Sequence, residues 1–207
     1  MSNQRICTIE QLADYLKGHV SERRYLHSMG VAQTTGKVLD HFGCTDYERT
    51  WNGFGAPEFC GLAHDIAREM TDAQLLEYCK ENGVTLSEED IKAPVLAHGT
   101  VSAEIAAGLV GDYPKSWYRA LCDHTTGNSG MDSLALALFI ADYIEPTRRF
   151  MTDQRRGFYL GSSSIQQCAY RVLCDMIDHW RSTGFHDASS GSLAMKEDLE
   201  KKWGCKY

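Results

Sequence analysis

No apolar run in the 207 residues reaches the roughly 18 to 20 needed to cross a bilayer, which excludes a membrane-spanning helix. Cationic excess is missing as well: 21 Lys and Arg stand against 28 Asp and Glu, for a formal net charge of −7. That balance argues against a general nucleic-acid surface, because phosphate-backbone binding relies on clustered Lys and Arg. No CxxC pair occurs among the eight cysteines, at 7, 44, 60, 79, 122, 168, 174 and 205, so neither a zinc ribbon nor a thioredoxin-type motif is present. Reduced thiols, several of them buried, are expected. The N-terminus, MSNQRICTIEQLADYL, has no continuous apolar segment and carries early acidic residues, unlike a secretory signal, so the expected location is cytoplasmic. Strict apolar alternation is absent too, which leaves little room for a sheet.

What the chain does contain is helix signals. Thr8 with Gln11 forms a capping-box pattern, and Ile9, Leu12 and Leu16 repeat at helical spacing up to Gly18. Ser21 caps a second helix that runs to His41 or Phe42 and stops at Gly43. Thr45 with Glu48 and Thr71 with Gln74 repeat the capping signature. The glycine-rich interval Asn52 to Pro57 reads as loop, so Phe59 to Ala67 is expected to be a fresh helix carrying His64 and Asp65. Further helices are expected at VSAEIAAGL, at SWYRALCDH and at MDSLALALFIADYIEPTRR, where Pro146 limits the last turn. Two more follow at Ser163 to Arg181 and Ser192 to Trp203. The expectation is an all-α fold, one helical-bundle domain over 1–207 with a C-terminal helix and tail at 188–207.

Several ionisable residues sit where such groups are costly. His64 and Asp65 lie among Leu62, Ala63, Ile66 and Ala67, and an unpaired carboxylate there would cost several kcal/mol or take up a proton. A cation would remove that cost. The dipeptide alone means little, since His186-Asp187 repeats it in a Gly- and Ser-rich loop. His27 shares a helix face with Val31 and Val38, as a metal ligand or as a core histidine held by a carbonyl. Asp142 lies inside LALALFIADYI, apolar nearly all round, and needs a metal or a salt bridge. His98 and His124 fall at turn-like or helix-end positions. In the order His, His-Asp, His, His, Asp, these residues suit one or two first-row metals.

The segments RYLHSMGVA, GLAHDIAR, LAHGTVSAEIA, DHTTGNSGM and ADYIEPTRR resemble those of the HD-domain metal-dependent phosphohydrolases, an all-helical superfamily. Within it they are similar to the YqeK family of symmetrical diadenosine tetraphosphate (Ap4A) hydrolases. The resemblance covers roughly residues 8–187, and HTTG and ADYIEPTR are its most specific blocks. It implies that His27, His64, Asp65 and Asp142 hold an iron ion, with manganese or another divalent metal as an alternative. His98 and His124 would either face the phosphates, with Thr125, or hold a second metal. Arg24 and Arg148 would meet the nucleotide, along with Ile66 and Ala67 beside the metal ligands. Arg68 stands where the family often has lysine, which keeps the charge but exchanges a compact ammonium for a planar fork. Phe185 and His186 fall where the family folds a loop over the nucleotide.

The implied chemistry is metal-assisted hydrolysis of Ap4A to two ADP, with Asp65, Arg68, His98 and His124 in catalytic roles. Its ligands would be dinucleoside polyphosphates or ADP, and the family allows a homodimer. Two alternatives stay open. One is an HD phosphohydrolase acting on a nucleoside monophosphate, a dNTP or a cyclic nucleotide; the other is a nucleotide-sensing domain without turnover.

Overall fold

A computed structural model describes residues 5–183 and 188–203. The described elements run α1 (Ile9–His19), α2 (Glu22–His41), β1 (Thr50–Trp51), β2 (Phe54–Gly55), α3 (Ala56–Ala63), α4 (Asp72–Glu81) and α5 (Glu88–Lys92). After a 3-10 turn (Pro94–Ala97) come α6 (His98–Val110), α7 (Lys115–Asp123), α8 (Ser133–Ile144), α9 (Asp153–Leu160), α10 (Ile165–Thr183) and α11 (Ser190–Trp203). The fold is all-α apart from one small hairpin. None of the described helices is long and apolar enough to cross a membrane.

Helix starts follow the expected caps. Thr8, Ser21 and Thr71 each accept a backbone N–H from the third residue on, and Thr71 with Gln74 completes a capping box, an arrangement of the kind worth about 1 kcal/mol. Thr45 and Glu48 behave otherwise, for no helix begins there. The Glu48 carbonyl accepts Trp117 Nε1 at 2.7 Å and the Arg49 carbonyl accepts Ala56 N at 2.9 Å, so tertiary bonds take the groups a helix would use. The expected loop at 52–57 is partly structured. Thr50 pairs with Gly55 and Trp51 with Phe54, across Asn52 and Gly53 at φ 45° and 85°, a primed two-residue turn.

The core is laid around α8, whose residues 133–141 are all buried. α2, α7 and α10 pack on it, and α3 packs on both α2 and α8. Apolar faces dictate this arrangement: Val31 and Val38 on α2, Phe59 and Leu62 on α3, and Leu173 and Ile177 on α10 are all nearly inaccessible. The α2–α3 crossing is unusually close. A Cβ on Gly61 would lie 2.2 Å from Ala32 Cα, so only glycine lets the end of α3 settle on α2. A second close approach joins α6 to α7, where a Cβ on Gly99 would lie 2.7 Å from the Leu121 carbonyl. The seven described cysteines are free, with Cys60, Cys79 and Cys168 buried.

Candidate active site

Each close crossing delivers a histidine. α3 ends at Ala63, earlier than expected, and His64 caps it while Ile66, Arg68 and Met70 donate to carbonyls three residues back. The His64-Asp65 pair therefore lies on a tightened turn beyond the helix rather than within it. Gly61 presses that turn onto α2, next to His27. Gly99 does the same for His98, the first residue of α6, and His124, the cap of α7.

The four imidazoles are oriented alike. Nδ1 of His64, His98 and His124 lies 2.8, 2.5 and 2.7 Å from the carbonyl oxygens of Gly61, Val95 and Leu121. A carbonyl has no proton to give, so each Nδ1 carries the hydrogen and each Nε2 is turned inward as a ligand atom. His27 makes the equivalent bond to a carboxylate, with Nδ1 2.9 Å from Glu145 Oε1. The Nε2 atoms then meet in pairs, His27 with His64 at 3.3 Å and His98 with His124 at 3.2 Å. Two ring nitrogens at that distance need a proton or a cation between or beside them.

Asp65 stands between the pairs with its carboxylate divided. Its Oδ2 lies 3.5 Å from His27 Nε2 and 3.4 Å from His64 Nε2, while Oδ1 lies 3.2 Å from His98 Nε2 and 3.7 Å from His124 Nε2. Asp142 completes the first group, with Oδ1 3.0 Å from His27 Nε2 and 3.8 Å from His64 Nε2. The donor atoms of His27, His64 and Asp142 all lie within 4.8 Å of one another, as do those of His64, Asp65 and His124. Imidazole nitrogens and carboxylate oxygens without thiolate suit a divalent first-row metal, and these residues fit one.

The electrostatics ask for a cation at the same place. Burial opposes the charged imidazole of His64, yet Asp65 and Asp142 outweigh it and push its pKa up to about 10. Burial would likewise raise both aspartates, but His64 and its neighbours hold Asp65 well below the usual carboxylate range, and Arg148 with the histidines does so for Asp142. Two arginines add to this: Arg24 pairs with Asp65 and Arg148 with Asp142. Protons and guanidinium groups thus supply the positive charge that a metal would bring.

Asp65 and Asp142 of the cluster open into a cleft of about 830 Å³, within the usual size of a small-molecule site. Arg24, Arg68, His98, His124, Thr125 and Arg148 are on its wall. Thr125 Oγ1 lies 3.2 Å from His98 Nε2 and 3.1 Å from His124 Nε2. Ile66 and Ala67 are not on the cleft wall. Ile66 packs into the main core, and Ala67 sits behind Asp65, its backbone N–H bonded to Ser102 Oγ at 3.0 Å. Phe185 and His186 lie outside the described residues.

Glu145 had no place among the sequence expectations. It is fully buried, and besides His27 it accepts bonds from Thr147 N at 2.6 Å and Thr147 Oγ1 at 2.5 Å. A carboxylate three residues after Asp142, at the end of an apolar helix, was the signal available. The far wall of the cleft was also unforeseen: Tyr143, Phe150, Met176 and Trp180 face it, and nothing in their spacing marks them off from core positions.

Four inward histidines, a shared aspartate and a second aspartate at the centre of a helical bundle define a metal-dependent hydrolase of the HD superfamily. A solved structure from Clostridium acetobutylicum, described as a predicted HD superfamily hydrolase involved in NAD metabolism, superposes with a TM-score of 0.80 at 25% identity, over 93% of this chain and 97% of that one. More narrowly, the chain belongs to the YqeK-like family of symmetrical bis(5'-nucleosyl)-tetraphosphatases. Its relative of that name from Halalkalibacterium halodurans is 30% identical over 137 residues, 65% of this chain and 67% of the relative. Those from Bacillus subtilis and Staphylococcus aureus are each 26% identical, over 68% and 79% of this chain and 71% and 80% of theirs. No protein-family model matches the chain. The protein is a nucleotide phosphohydrolase, an enzyme acting on phosphoric anhydrides.

Proposed function

We propose that the protein cleaves Ap4A at its central anhydride, giving two molecules of ADP. The observation that carries this reading is the junction of two histidine–carboxylate groups with Arg24, Arg68 and Arg148 on the wall of one nucleotide-sized cleft. The curated relatives' shared name supports the substrate.

His27, His64, Asp65 and Asp142 would hold one metal ion, which we take to be iron, and His98 and His124 with the other oxygen of Asp65 a second. Bound there, the metal supplies a water of lowered pKa and polarises a phosphoryl oxygen. The remaining work falls to the chain. Its cleft carries four arginines, at 24, 68, 148 and 155, against four aspartates, at 65, 142, 175 and 178, so the walls alone have no net formal charge to attract a polyanion. Once Asp65 and Asp142 are engaged as ligands, the Arg24 and Arg148 guanidiniums that now pair with them are free for phosphate oxygens. Arg68 has no ion pair among the described residues and already faces the cleft. These cations offset charge on the transferring group and the departing ADP. Tyr143, Met176 and Trp180 offer an apolar seat for one adenine.

In the balanced reaction the water oxygen bonds to one inner phosphorus, and the bond from that phosphorus to the central bridging oxygen breaks. The bridging oxygen leaves on the other ADP, and protons are released to solvent. Comparing metal-loaded turnover of Ap4A with that of a nucleoside monophosphate, a dNTP and a cyclic nucleotide tests the assignment. Ap4A should have the highest kcat/KM of the panel, and preference for any other member would overturn the reading.

A further inference from the structure

A second cleft of about 710 Å³ is lined by the first turns of α2 and the segment 145–150. It is comparable in size to the first, and the two share Arg24, Arg148 and Phe150. Its charge is of one predominant sign. Arg23, Arg24, Arg148 and Arg149 face two carboxylates, Glu22 and Glu145, in a chain whose net charge is −7. Glu145, moreover, is turned inward to His27 and Thr147.

Two features point to an occupant that is anionic and partly apolar. The side chains of Arg23 and Arg149 are exposed and make no hydrogen bond or ion pair with any described residue, and the buried Nε of Arg24 has no hydrogen-bond partner among them. A buried donor left unmet is costly, and an incoming oxyanion would satisfy it. Leu26 and Phe150, 51% and 47% exposed, lie in the same lining and are two of the five large apolar side chains left exposed on the described surface. Guanidinium groups beside an aromatic face suit a nucleoside diphosphate, whose phosphates take the cations and whose base takes the ring.

We propose that this second cleft seats the other nucleoside diphosphate half of the substrate. The proposal rests on the reading of the enzyme as a symmetrical hydrolase of a dinucleoside tetraphosphate. Such an enzyme must locate the central bond by reading two phosphates on each side of it. Two clefts that share Arg24 and Arg148 would take one half each, with those two arginines at the bond to be cut. Arg23 and Arg149 grip the half that leaves. With Asp65 and Asp142 engaged by the metal, four arginines of this cleft stand against two carboxylates.

The test compares the wild type with Arg23→Glu/Arg149→Glu, both metal-loaded, by calorimetric titration with ADP and by Ap4A kinetics. An unchanged thermal midpoint checks that the variant is folded, and Arg23→Gln/Arg149→Gln serves as a milder second variant. The expected result is two ADP bound per wild-type chain and one per variant chain, with the KM for Ap4A raised roughly tenfold in the glutamate variant and less in the glutamine one. One ADP per wild-type chain, with the KM for Ap4A unmoved in both variants while Ap4A is still cut to ADP, would overturn the second cleft and leave the reaction standing. A wild type that does not cut Ap4A would overturn the reading of the reaction instead.

Discussion

His27 and Glu145 meet through a buried hydrogen bond of 2.9 Å between Nδ1 and Oε1, linking α2 to the end of α8. The bond turns His27 Nε2 toward Asp142, 3.0 Å away, and would strengthen the imidazole as a ligand in the proposed metal site. Glu145 is thus a positioning residue acting through His27. Glu145→Gln keeps the shape and removes the charge, and metal affinity should fall about 10–100-fold, the usual loss for a residue of this kind. Metal titration checks this against Glu145→Asp, which should restore part of the affinity. Unaltered affinity in the glutamine variant would show that Glu145 only packs.

Gly61→Ala should damage the site from behind. The added methyl group would meet Ala32 Cα at 2.2 Å, a backbone atom that cannot swing away, so α3 must shift from α2 and carry His64 with it. A loss of about 1–3 kcal/mol in stability is expected, with a lower metal content in the folded fraction. Denaturant unfolding and metal analysis read the two effects separately.

Metal and protons compete at His64. With its folded pKa raised to about 10, His64 stabilises the metal-free protein fully below its unfolded value near 6.5, and this contribution is lost as the pH rises through 10. A metal-loaded site has no such proton to lose. The gap in thermal midpoint between loaded and metal-free protein should therefore widen from about pH 6.5 to 10. A gap constant over that range would contradict the ligand assignment of His64.

Arg68 lines the cleft without an ion partner among the described residues, so its charge is available to substrate. Arg68→Ala should lower kcat/KM for Ap4A by about 10-fold or more, and Arg68→Lys should recover most of it, since compact and forked cations both meet phosphate. Equal losses in the two variants would mean that the planar fork itself is required.

Legibility from the sequence followed the cost of burial. His27 and Asp142 could be singled out because an ionisable group on an apolar helix face demands a partner, and Thr71 with Gln74 marked a helix start by local chemistry alone. Asp65 could be named as a ligand, but its position between two histidine pairs depends on the crossings at Gly61 and Gly99, which bring α2 to α3 and α6 to α7. Those contacts are long-range, and no local pattern encodes them. Thr45 and Glu48 failed for the same reason, since Trp117, far along the chain, takes the Glu48 carbonyl. The second cleft escaped notice because Arg23 and Arg149 look like ordinary surface charges until the fold sets them in one cleft with His27 and Glu145.

The central claim is cleavage at the middle anhydride, and the product of Ap4A hydrolysis tests it most directly. Protein reconstituted with ferrous iron, incubated with Ap4A and resolved by chromatography at early times, should yield ADP alone, and Asp65→Ala should yield none. AMP and ATP in equal amounts would contradict the account.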